Sequence, residues 1–233
     1  MRLLGLIAGT SLLEEKSFDT MESKRLENEF GTVQALFSEG LVYIPRHGKE
    51  PHDHILPHRI NYRANLKAMK ELGVTDIIGI NSTGSLKTEL EPGTIVVPDD
   101  YISITETPTI FDNKQKHSTP TLSEKIRQKL INCAEGCGIS VITKGVYWQT
   151  RGPRLETQAE IRMMAQFADI VGMTMASEAV IASELGLEYG SICSVDNYGH
   201  GLVTTPLSMQ EITASARKNA DKILKIIQCC VKT

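Results

Sequence analysis

The chain has 233 residues, 41% hydrophobic and 23% charged, with a formal net charge of −3. That length suits one α/β domain able to bury a sizeable core. Without a basic block there is no footing for nucleic acid or a membrane surface, and five cysteines without zinc-ribbon spacing point to a reducing compartment, the cytoplasm.

Leu3–Ala8 reads as a strand running into a Gly-Thr-Ser turn. Gly5, Gly9 and the charges from Glu14 interrupt it too early for a signal peptide, and no apolar run here is long enough to span a bilayer. Leu13–Gly31 is polar and reads as irregular. Leu41–Pro45 is a strand ending in Arg46-His47-Gly48, and a His- and Pro-rich loop, Glu50–His58, follows. Tyr62, Leu66, Met69 and Leu72 recur at helical spacing within Ile60–Leu72, with Gly73 as the stop.

Asp76–Ile80 is an apolar run rich in β-branched residues that empties into Asn81-Ser82-Thr83-Gly84-Ser85. The spacing predicts a buried parallel strand followed by a turn of small donors, a place where an anion or a flat heterocycle can sit. A plain strand-to-helix turn is the other reading. Gly93–Pro98 is a further strand, Ser103–Pro120 irregular, Leu122–Cys137 a helix and Ser140–Tyr147 a strand. Cys133 and Cys137, one helical turn apart, read as core cysteines. Glu156–Phe167, Ala176–Leu185 and Ser208–Cys230 read as helices, Asp169–Met173 and Tyr189–Val195 as strands. This alternation, without repeats or linkers, predicts a single three-layer α/β/α domain around a mixed, mostly parallel sheet.

Several strands end in similar chemistry. Gly9-Thr10-Ser11, Arg46-His47, Asn81–Gly84 and Met173-Thr174 would together supply one guanidinium and several neutral donors, a set suited to phosphate. Taken alone, Arg46 and His47 could equally be a surface ion pair and a hydrogen-bonded imidazole. There is neither a GxxxxGK[ST] loop nor a GxGxxG, which disfavours nucleoside triphosphates and dinucleotides.

Gly9-Thr10, Arg46-His47-Gly48, Pro57–Asn65 (PHRINYRAN), Asn81–Leu86 (NSTGSL), Glu91–Val96 (EPGTIV), Gly152-Pro153-Arg154, Gly172-Met173-Thr174 with Glu178, and Asp196-Asn197 stand in an order and spacing that resembles the trimeric purine nucleoside phosphorylase and methylthioadenosine phosphorylase family. The resemblance runs from the first strand to the last helix. It implies phosphorolysis, in which inorganic phosphate is the co-substrate and neither a metal nor another cofactor is needed. By position it assigns Thr10, Arg46, His47, Ser82 and Thr174 to phosphate. Thr83, Gly84 and Met173 fall to base and sugar, and Glu156 and Asn197 to the leaving base. It also implies a homotrimer, or a hexamer built from trimers.

Within the family, Glu at position 156 goes with 6-oxopurines, where it accepts N1–H, and Asn at position 197 accepts from N7–H while donating to O6. Asp196 next door leaves two registers open, since a one-residue slip would bring a carboxylate to the base. Glu156 could also be a first-turn helix residue favoured by the dipole. At the 5′ end, Leu207 and Met209 stand where nucleoside-specific relatives carry His, which suits a methylthio group; Met209 could also be a core residue. The reading is a 6-oxopurine nucleoside phosphorylase preferring 5′-methylthioinosine, with inosine and guanosine close behind. The alternatives are a 5′-methylthioadenosine phosphorylase, a hydrolytic nucleosidase lacking a phosphate site, and a purine-binding protein without activity.

Overall fold

In the computed structural model, residues 3–9, 20–48, 54–104, 108–204 and 208–233 are described. In chain order the elements are β1 (Leu4–Ala8), β2 (Glu22–Asn28), β3 (Gly31–Ser38), β4 (Leu41–Pro45), α1 (Tyr62–Glu71), β5 (Asp76–Ser85), β6 (Ile95–Val96), β7 (Asp100–Ile102), α2 (Glu124–Gly136), β8 (Val146–Gln149), α3 (Gln158–Met164), β9 (Ile170–Gly172), α4 (Met175–Leu185), β10 (Glu188–Tyr198) and α5 (Met209–Lys232).

One mixed sheet holds all these strands. β1 pairs in parallel with β4 and β5, β5 with β10, and β8 with both β7 and β9. β2–β3–β4 run antiparallel, as do β5–β9 and β6–β10. Strand residues alternate between two cores. Ile7, Val42, Ile44 and Ile77 face α1 and α4, while Leu6, Tyr43, Ile78 and Ile80 face α2 and α5. Helices cover both faces, so the three-layer α/β/α architecture holds.

Local signals start the helices within two residues of the expected positions, α3 at Gln158 rather than Glu156. Asn61 caps α1 by accepting from the Ala64 N–H, and Gly73, at φ +78°, ends it in the left-handed region. Ser123 caps α2, and Thr157 with Glu160 forms a capping box on α3.

Several expectations change. The strand expected over Ser140–Tyr147 starts only at Val146, as β8 (Val146–Gln149). The described part of Leu13–Gly31 is not irregular: β2 and β3 form a hairpin extending the sheet beyond β4. β2 is an edge strand with five of its seven residues exposed, so it carries no apolar alternation to find. Asn81–Ser85 is not a turn. It continues β5 because β10 lies alongside and pairs up to Tyr198 opposite Ser85. Cys133 is buried as expected, whereas Cys137 is exposed.

Candidate active site

The sheet divides at β5. Up to Ile80 one edge of β5 is paired with β1; at Gly84 and Ser85 it is paired with β9, while β10 fills the other edge. The gap beside Asn81–Thr83 is bordered by Gly9 after β1, Arg46 and His47 after β4, and Met173 and Thr174 after β9. A cavity of about 420 Å³ opens there.

Ser82, Thr83, Gly84, Met173 and Thr174 line this cavity together with Arg46 and His47, and Glu156 and Asn197 line it as well. Thr10 lies outside the described residues, as does the side chain of Met209.

Arg46 is 3% exposed. Its Nε and Nη2 donate to the Glu178 carboxylate at 2.7 and 3.1 Å, Nη2 also to the Ile7 carbonyl at 3.0 Å, and Nη1 to the Ile80 carbonyl at 2.6 Å. Four of five guanidinium hydrogens are thus engaged, leaving one on Nη1 for a ligand. The surface ion pair is overturned: Glu178 is 1% exposed and also accepts from the Tyr189 hydroxyl at 2.7 Å. His47 Nδ1 lies 2.6 Å from the Ile55 carbonyl, and its ring stacks on His54. Burial, then the Arg46 charge, push the imidazole down to about 4, so the ring is neutral near pH 7.

Thr174 donates its hydroxyl to Asn81 Oδ1 at 2.8 Å. Met173 packs against Gly152, where φ is +63° and a Cβ would stand 2.4 Å from the Met173 sulfur; only glycine fits. Glu156 lies before the Thr157 cap, outside α3, so it is not a first-turn residue. The Thr150 hydroxyl donates to its Oε1 at 2.6 Å.

A β-bulge decides between Asp196 and Asn197. Val195 pairs with Thr83 and Asn197 with Gly84, so Asp196 is the extra residue. Strict alternation would put Asp196 on the face of Ser194. Instead Ser194 and Asn197 line the cavity, and a Cβ on Gly84 would meet Asn197 Nδ2 at 3.1 Å. Asp196, 2% exposed, turns inward and accepts from the Ser194 hydroxyl at 2.9 Å and Asn219 Nδ2 at 3.1 Å. Burial raises its carboxyl, while hydrogen bonds from Ser82, Asn219 and Ser194 work against the rise.

Sequence reasoning missed His54, His200 and one face of α5. Ile212, Ala216, Ala220 and Ile223 line the cavity from that helix, and their three- and four-residue spacing was a readable stripe. His54 and His200 carry no such pattern.

The model of the phosphorylase superfamily matches residues 5–232. A probable 6-oxopurine nucleoside phosphorylase of Archaeoglobus fulgidus is 43% identical, with 99% of this chain and 96% of that protein covered. A probable S-methyl-5′-thioinosine phosphorylase of Methanosarcina acetivorans is 42% identical over 88% of this chain and 81% of its own. Among solved structures, methylthioadenosine phosphorylase from Schistosoma mansoni in complex with adenine superposes with a TM-score of 0.88 at 25% identity, covering 100% of this chain and 91% of that one. With the family model matched over nearly its whole length, this chain belongs to the phosphorylase superfamily.

Proposed function

We propose that the protein is a pentosyltransferase that cleaves 6-oxopurine nucleosides with phosphate, taking 5′-methylthioinosine first and inosine or guanosine next. The observation that carries the base preference is the bulge, which gives the cavity an amide at Asn197 and buries the neighbouring carboxylate. An adenine-type reading, a 5′-methylthioadenosine phosphorylase, would want that carboxylate facing the base.

As the N9–C1′ bond breaks, its electron pair moves onto the purine and the sugar takes oxocarbenium character. Phosphate closes on C1′ to give the (5-methylthio)ribose 1-phosphate. Asn197 donates to O6 and Glu156 accepts N1–H while charge develops on the ring; the departing base takes a proton from water at N7, where Asn197 then accepts from N7–H of the neutral base. Thr10, Arg46, His47, Ser82 and Thr174 hold phosphate. Thr83, Gly84 and Met173 contact sugar and base, and Met209 belongs to the 5′ end. Ile212 and Ala216 of α5 give the cavity an apolar wall suited to a methylthio group.

Base release from methylthioinosine, inosine, adenosine and methylthioadenosine, with and without phosphate, tests this reading. Release should depend on phosphate, and kcat/KM should favour methylthioinosine over methylthioadenosine by about tenfold or more, one good hydrogen bond to the base. Phosphate-independent release would make the protein a hydrolase, and a preference for methylthioadenosine would move it to the adenine branch. The assembly that fits is a homotrimer; a monodisperse, active monomer by light scattering would contradict it.

A further inference from the structure

We propose that the anion corner of the cavity accepts hydrogen bonds from its anion, and so selects oxyanions that carry a proton, hydrogen phosphate or hydrogen arsenate, over sulfate. This rests on the phosphorolytic reading and goes beyond it, because it follows from where the protons of His47 and Thr174 already are.

A backbone carbonyl can only accept, so each hydrogen bond that ends on one has a fixed direction. Ser191 donates its hydroxyl to the Gly79 carbonyl at 3.1 Å. Its oxygen must then accept from Asn81 Nδ2, 2.7 Å away, which orients the amide. Asn81 Oδ1 therefore faces Thr174, and Thr174 must spend its only proton there, at 2.8 Å. What Thr174 turns to the cavity is a lone pair.

His47 follows the same logic. Nδ1 must carry the hydrogen that meets the Ile55 carbonyl at 2.6 Å, so in the neutral ring Nε2 is an acceptor. Among the described residues nothing bonds to Nε2, and a Cβ on the cavity-lining Gly9 would stand 3.9 Å from it. Against these two acceptors Arg46 sets its charge and one remaining Nη1 hydrogen.

Hydrogen phosphate meets this arrangement with P–O–H toward an acceptor and its bare oxygens toward Arg46. Sulfate has no hydrogen to give, so both acceptors face acceptors, one more mismatch than hydrogen phosphate leaves. Monofluorophosphate, a phosphorus dianion without an acidic hydrogen at neutral pH, separates protonation from the central atom.

The experiment measures phosphate and arsenate as co-substrates at neutral pH, and sulfate and monofluorophosphate as competitors of phosphate, with methylthioinosine held fixed. Phosphate and arsenate should both drive base release, and sulfate and monofluorophosphate should bind about 30-fold or more weakly. Asn81, 2% exposed and outside the cavity lining, offers a second arm. Asn81→Leu removes the group that takes the Thr174 proton, and the phosphate-to-sulfate ratio should narrow about tenfold. The wild-type panel decides the question even if that variant does not fold. Sulfate and monofluorophosphate binding within about threefold of phosphate, with phosphorolysis intact, would overturn the inference alone. Failure of both phosphate and arsenate to drive base release would instead overturn the phosphorolytic reading, and this inference with it.

Discussion

Arg46→Ala should lower the stability of the folded protein by about 3–5 kcal/mol, because it leaves the Glu178 carboxylate buried without a cation. Arg46 and Glu178 are 3% and 1% exposed, and they meet through two charged hydrogen bonds. In a chain of this length that loss should lower the calorimetric Tm by about 10 °C. Glu178→Ala should cost a similar amount, since it strands the guanidinium. The double change Arg46→Met with Glu178→Leu should be milder than either single one, because it removes both desolvated charges and keeps the volume. Where Arg46→Ala remains folded, its phosphate KM should rise by tenfold or more, the loss of one charged hydrogen bond and a cation. A Tm unchanged in Arg46→Ala would mean that the ion pair contributes nothing to the fold. An unchanged phosphate KM would remove Arg46 from the anion site.

The second large effect concerns the base. Asn197→Asp should lower kcat and kcat/KM for methylthioinosine together by about 100-fold, since it replaces a donor to O6 by a carboxylate that repels it as charge builds on the ring. The same carboxylate can accept from the 6-amino group of adenine, so the relative rate on methylthioadenosine should rise. Asn197→Ala should depress both substrates. Asp196→Asn separates the two neighbours. Its oxygens are held by Ser194 and Asn219, away from the cavity, so it should leave the base preference where it was. A switch of preference from Asp196→Asn, with none from Asn197→Asp, would mean that the register at the bulge is wrong.

Much of the fold could be read from the chain alone, because its signals are local. Asn61 and Gly73 bracket α1, Ser123 starts α2, and Leu41–Pro45 is a buried strand with its apolar run intact. The alternation of such elements was enough for a three-layer α/β/α domain. Nine of the residues named from the likeness of ordered motifs line one cavity in the fold.

What local pattern could not supply came from neighbours distant in sequence. Asn81–Ser85 looks like a turn because its residues are small and polar, but β10, about 110 residues later, pairs along it and keeps it a strand. Arg46 could pass for half of a surface ion pair until Glu178, 132 residues away, is packed against it in the interior. Alternation would send Asp196 to the cavity with Ser194; the extra residue in β10 sends Asn197 instead. The protons at the anion corner are the furthest case. Thr174 is a donor in sequence and an acceptor to the cavity in the fold, because the Gly79 carbonyl orients Ser191, Ser191 orients Asn81, and Asn81 takes the Thr174 proton. Composition and periodicity determine which residues are apolar and where elements start. The direction of a hydrogen bond is set by what stands across it, and only the tertiary structure brings those partners together.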